Sequence, residues 1–184
     1  MMTSPAKTAV RLRAAATLTG AGLALAMLAG CSPQPEPTPT ETPLFASEEE
    51  AFAAAEETYR AYVQAVNDSR LDDSSSFEPV FELLTGSALT AERETTSLYH
   101  AEQLSRTGDT TFDSFSPLET DGSRVVANLC IDVSEVELLN AEGQSVVPAD
   151  RPPRSGREVT FVPGDTSNRL QIASNHRPSS GFTC

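Results

Sequence analysis

From Ser47 onward the chain shows two hydrophobic periods in turn, and the change between them divides it into a helical half and a strand half. Phe52, Ala55, Tyr59, Tyr62, Val63 and Val66 recur largely at three- and four-residue steps, which lays one apolar stripe along a helix. Ser47-Glu48-Glu49-Glu50 ahead of it has the form of a capping box, with carboxylates at the positive end of the helix dipole. This helix is expected to run out at Asn67-Asp68. A shorter turn or helix follows from Ser74-Ser75-Ser76 through Pro79, Phe81, Leu83 and Leu84 to a stop at Gly86. A third helix is expected from Ser87 or Ala88 to Arg106, with Leu89, Leu98, Tyr99 and Leu104 available for packing and Gly108 as its C-terminal stop.

After Gly108 the period becomes two. Thr111 to Phe115, Val125 to Val133, Glu158 to Val162 and Arg169 to Ala173 read as strands. Asp121-Gly122 is a hairpin signal between the first two, and Gly164-Asp165 a turn between the last two. Val125, Ala127, Leu129, Ile131 and Val133 share one face of their strand, and Asn128, Cys130 and Asp132 share the other. Between Val136 and Gly156 an extended hairpin arm and an exposed loop are expected. Helices first and an antiparallel sheet afterwards give an α+β layout, with the N-terminal helices packed on a curved sheet of about four strands.

The segment before these elements is different in kind. Lys7, Arg11 and Arg13 precede an apolar stretch from Ala14 to Leu28 that ends in Leu28-Ala29-Gly30-Cys31, a secretory-signal pattern too short to be a strong spanning helix. Leu28-Ala29-Gly30-Cys31 resembles the lipobox of bacterial lipoproteins. That resemblance implies cleavage between Gly30 and Cys31, diacylation of the Cys31 thiol, and attachment to the extracytoplasmic face of the cell membrane. The expected organisation is a signal peptide over 1–30, a tether over 31–47 and a globular domain over 48–184. Pro33, Pro35, Pro37, Pro39 and Pro43 alternate with polar residues in the tether, which favours polyproline II at about 3.1 Å per residue and lifts the domain off the bilayer.

Charge and cysteines then narrow the function. The formal net charge is −13, and cleavage before Cys31 removes three bases and no acid. Lys7 is the only lysine, so the exported part has no ammonium for a Walker-type phosphate loop, a Schiff base or a Ser-x-x-Lys acyl transferase. Its acidity also argues against nucleic acid as a partner. With Cys31 assigned to lipid, Cys130 and Cys184 remain, and in an exported protein they are expected to bond to each other.

The element order, the Leu129-Cys130-Ile131-Asp132-Val133-Ser134 strand and the terminal cysteine resemble the NTF2-like superfamily, a cone-shaped fold shared with ketosteroid isomerase and many exported lipoproteins. The composition and the Pro/Thr tether are similar to those of lipoproteins from actinobacteria. The superfamily resemblance implies a pocket between long helix and sheet, where Tyr59, Tyr62, Tyr99 and Asp132 are the candidate lining residues. No catalytic residue, metal ligand or cofactor site is assigned. His100 and His176 stand in no metal-binding pattern, and Asn67 to Glu78 fails as a calcium loop because Leu71 replaces an oxygen ligand and Asp72 the turn glycine. The resulting expectation is a membrane-anchored, non-catalytic binding or accessory domain for an envelope protein or component, without a deep polar pocket. Its alternatives are an acid/base enzyme of isomerase or dehydratase type and a small-ligand carrier.

Overall fold

The computed structural model describes residues 43–179 and 181–184; the expected signal peptide, the Gly30–Cys31 cleavage site, the Cys31 anchor and nearly all of the tether lie outside the described residues. Three α-helices precede six strands: α1 (Glu48–Asp68), α2 (Glu78–Glu82), α3 (Gly86–Ala101), β1 (Ser105–Thr107), β2 (Thr111–Thr120), β3 (Val125–Asp132), β4 (Glu137–Leu139), β5 (Arg154–Pro163) and β6 (Leu170–His176). An additional 3₁₀ turn, Ser74–Phe77, leads into α2. β2-β3-β5-β6 form an antiparallel sheet in that order, and β1 pairs with β4 in a separate two-stranded ribbon. This is the expected α+β layout, helices against an antiparallel sheet, with bulges in β2 and in the β5–β6 pairing that bend the sheet.

The start of α1 follows its sequence closely. Ser47 Oγ accepts from Glu50 N at 3.1 Å, and the Glu50 carboxylate accepts from Ala46 N at 2.9 Å, one residue beyond the usual reciprocal partner. The C-terminal end has no basic residue in its last turn. Its carbonyls are satisfied from elsewhere in the chain: Arg106 of β1 donates to Val66, Asn67 and Ser69, and Asn67 exchanges two hydrogen bonds with the Thr110 backbone.

Ala51, Ala55 and Tyr59, all fully buried, let α1 approach the sheet where Val125, Ala127, Leu129, Val159, Phe161, Leu170 and Ile172 form the opposing face. Tyr59 meets Phe112 edge-on at 4.9 Å between ring centroids. A smaller cluster of Leu71, Phe77 and Leu104 closes the end of the helical layer. The β6 edge is covered rather than exposed, since Thr85 N donates to Ile172 O and Ile172 N to Leu83 O.

Two helix boundaries depart from expectation. Gly86 does not stop α2 but opens α3, with φ +54° and so near β6 that a β-carbon would meet the Ala173 carbonyl oxygen at 3.0 Å. α3 ends at Ala101, and Arg106 belongs to a strand. Gly108, at φ +74°, is the place where the chain passes the Glu135 carbonyl so closely that a β-carbon would lie 1.8 Å from its oxygen.

Cys130 and Cys184 are joined, with α-carbons 5.8 Å apart. The bond ties the C-terminal tail across the sheet face opposite the helices, where Phe182 and Pro178 pack over Gly156 and Ser179 Oγ donates to Glu158 at 3.0 Å. Because the bond closes a span of 54 residues, Cys184→Ser is expected to cost about 4 kcal/mol in urea unfolding on the chain-entropy scale. Reduction of the wild type is expected to match it, whereas a loss under about 1 kcal/mol in both would show that the tail contributes little constraint.

Candidate functional site

The inner face of the sheet changes character along its strands. Val159 and Phe161 of β5 and Leu170 and Ile172 of β6 are wholly buried, but the same faces continue into Arg157 and Asn175. Opposite them, α3 presents the short side chains of Ala88, Ala91 and Thr95. Small residues facing the sheet leave room, and a cleft of about 450 Å³ results. Leu84, Ala88 and Ile131 supply its apolar wall, while Tyr62, Glu92, Arg157 and Asn175 supply polar groups and His176 reaches its rim.

One hydrogen bond organises the polar side. Tyr62 Oη donates to Glu92 Oε2 at 3.0 Å, linking α1 to α3 across the cleft. Burial pushes the Glu92 carboxyl above the usual glutamate range, against the opposing effects of the Tyr62 hydrogen bond and the Arg106 charge. Burial, with the adjacent Glu92 charge adding to it, holds the Tyr62 phenol well above its ordinary value. Burial also pushes Tyr59 up to about 12, opposed by its neighbours Asn175 and Arg157. Both phenols are therefore protonated donors at any physiological pH.

The other polar atoms are less well served. Tyr59 Oη, Arg157 Nε and Asn175 Oδ1 are buried without a hydrogen-bond partner. Arg157 forms no ion pair with any described carboxylate, although it lies in a chain with 26 acids and 13 lysines and arginines. Unpaired buried polar atoms are rare in folded proteins and concentrate where a site has another task.

Of the four residues expected to line a pocket, Tyr62 does so and Tyr59 lies beside it with its hydroxyl next to Asn175 and Arg157. Tyr99 instead packs against the Leu71–Phe77–Leu104 cluster. Asp132 is also misplaced by the expectation, because strand alternation turns it to the face opposite Ile131. There its carboxylate accepts from Ser134 N at 2.9 Å and lies 3.8 Å from Arg154. The Ser134 hydrogen bonds, with Arg154 a smaller influence, hold it below the usual aspartate range. Where no deep polar pocket was expected, small residues on α3 leave an open cleft of mixed polar and apolar lining, and its acid is Glu92.

Glu92, Arg157 and Asn175 were not singled out from the sequence, yet two of them carried a signal. Ala88, Glu92 and Thr96 are spaced by four on α3, and Ala88 and Thr96 are buried, so Glu92 shares the packed face. Arg157 is in phase with Val159 and Phe161 and must point inward with them. Asn175 was hidden by the β5–β6 bulge, which shifts the phase of β6.

No known protein family and no curated protein matches the chain. Solved structures show a distant likeness. A Catenulispora acidiphila protein in complex with S-DNPA is 16% identical, covering 70% of this chain and 92% of that one, with a TM-score of 0.45. The intermembrane space region of chloroplast protein ARC6 is 14% identical over 70% of this chain and 96% of that one, at a TM-score of 0.48. Aln2 from a Streptomyces species is 14% identical, covering 70% and 89% respectively, at 0.43. No residue role passes from these proteins to this chain.

The Glu92 environment has a consequence for stability. A carboxyl whose pKa is raised by folding binds its proton more tightly in the folded state, so its contribution is full below the ordinary glutamate range and lost as pH rises through the raised value. Glu92→Gln keeps an acceptor for Tyr62 and cannot ionise. Its stability relative to wild type in urea unfolding is expected to increase from about pH 4 to about pH 7, and a difference that stays flat or falls would place Glu92 in a well-solvated setting.

Proposed function

We propose that this chain is a lipid-anchored extracytoplasmic domain that binds a small molecule, without transforming it, in the cleft between α1, α3 and the sheet. The observation that carries the binding part is Arg157, a guanidinium inside a concave site with no protein acid to answer it, beside the Tyr62–Glu92 pair. A cleft of about 450 Å³ with an apolar wall and a few convergent polar groups has the size and composition of small-ligand sites.

The anchoring part rests on Leu28-Ala29-Gly30-Cys31 and the basic residues and apolar run ahead of it. Among the described residues no helix is long and apolar enough to cross a membrane. In this reading a diacylated Cys31 fixes the protein to the bilayer, and the proline-rich segment over 31–47 holds the domain out where it meets its ligand or an envelope partner. Cofactors and nucleic acid have no part in it.

One feature favours a second reading. Glu92 is a buried carboxyl with a raised pKa beside a phenol, the pairing that acid/base isomerases and dehydratases use to move protons. Against turnover stand the partners of the other groups: Tyr59 and Tyr62 are too weakly acidic to cycle near neutrality, and His176 at the rim has its ring against Arg177 O and Glu158.

Two experiments test the proposal. In a thermal-shift screen of small molecules against the full chain in detergent, compounds that raise the melting temperature of wild type are expected not to do so for Ala91→Trp, which fills the exposed rim of the cleft. A screen in which no compound separates the two proteins would contradict a binding role for the cleft. For the anchor, Cys31→Ala is expected to release the protein into the medium, and continued membrane retention would refute lipidation at that residue.

A further inference from the structure

Apart from Arg157 and the exposed Arg177 of the tail, every described arginine is engaged. Arg60, Arg70, Arg124, Arg154 and Arg169 pair with carboxylates. Arg106 and Arg151 donate to backbone carbonyls, and Arg93 lies over the Phe81 ring. Half-buried Arg157 alone has a buried Nε that nothing meets. Glu92 does not fill that role. It accepts from Tyr62 and is balanced by the Arg106 charge, while no described carboxylate comes within ion-pair distance of Arg157.

We infer that the occupant of the cleft is a small organic monocarboxylate, its carboxylate gripped by Arg157 and its apolar body laid against Leu84, Ala88 and Ile131. The inference rests on the binding role proposed above and names the class of molecule bound. Guanidinium offers a planar fork of N–H donors that matches a carboxylate in two parallel hydrogen bonds, and Arg157 lines the cleft with no protein carboxylate on it. An inorganic anion would leave the apolar wall without a partner. A polyanion would meet one guanidinium and then Glu92, in a chain of net charge −13, so a single negative group is what the site accommodates.

The test uses the full chain in detergent with benzoate and hexanoate as probes, compared with methyl benzoate, methyl hexanoate and inorganic phosphate. Binding is followed by calorimetry and by thermal shift. The two acids are expected to bind, the esters and phosphate to bind roughly tenfold or more weakly, and Arg157→Gln to lose the acids by a similar factor while keeping its circular dichroism. Arg157→Lys, which keeps charge without the fork, is expected to recover only part of the loss. If Arg157→Gln fails to fold, the acid-against-ester ratio on wild type decides alone. Esters binding as well as acids, or acids binding Arg157→Gln unchanged, would overturn the carboxylate class and leave the cleft a binding site. Acids binding Ala91→Trp and wild type alike would overturn both, because binding would then lie elsewhere. Binding of no acid at all would overturn the carboxylate class.

Discussion

The central strand β3 is covered on both faces, and this constraint shapes the rest of the molecule. Its odd-numbered residues, Val125, Ala127 and Leu129, press against α1, while Asn128 and Cys130 lie buried on the other side. The C-terminal tail provides that second cover, held by the bond from Cys184 to Cys130 and by the packing of Phe182 on Gly156. A domain of this size with a single helical layer would otherwise leave one side of its sheet to water. Fastening the last residue to the middle strand gives the sheet a second layer without another element of secondary structure.

With β3 fixed, the position of α1 is set by both of its ends. Ser47 and Glu50 cap the first turn, and Glu50 also pairs with Arg169 at 2.9 Å, tying the helix start to the β5–β6 turn. Arg106 and Asn67 hold the last turn to β1 and the start of β2. α3 is anchored near its beginning, where Ser87 Oγ donates to Ala173 O at 3.2 Å. Its inward face then runs through small residues instead of large apolar ones. The cleft is the consequence: a helix held close to the sheet edge but lacking the bulk to fill the space beneath it, with Glu92 and Arg157 facing the gap.

Periodicity made most of this legible. The Ser47 cap, the α1 stripe, the inward phase of β3 and the Asp121-Gly122 turn all follow from local rules; β2 and β5 run past the expected strands, β6 starts one residue later and ends further on, and β3 stops one residue short at Asp132. The pairing of Cys130 with Cys184 followed from elimination once Cys31 was set aside. What local rules could not supply was tertiary. Gly86 and Gly108 read as helix stops because a glycine's sequence signal is the same whether it ends a helix or allows two backbones to pass closely. Arg106 looked like part of a helix because its partners, the carbonyls ending α1, are 39 residues away at Asn67. Asp132 was drawn into the pocket by resemblance although its own alternation with Ile131 turned it out.

The same contrast explains why the site's acid was missed. Glu92 lies in a helix that reads as a surface helix from its polar content, and only its four-residue spacing from Ala88 and Thr96 marks it as inward. An ionisable group on a packed face is costly unless something answers it, and here Tyr62 and the Arg106 charge do so for Glu92, whereas nothing in the described chain does so for Arg157. The most direct measurement is the map of backbone amide shifts in isotope-labelled full chain on addition of benzoate. Shifts concentrated at residues 88–95 of α3, around Arg157 of β5 and around Asn175 of β6 are the expected result. Shifts confined to the tail-covered face would contradict the cleft as the site where this protein meets its ligand, and none at saturating probe would contradict a carboxylate as that ligand.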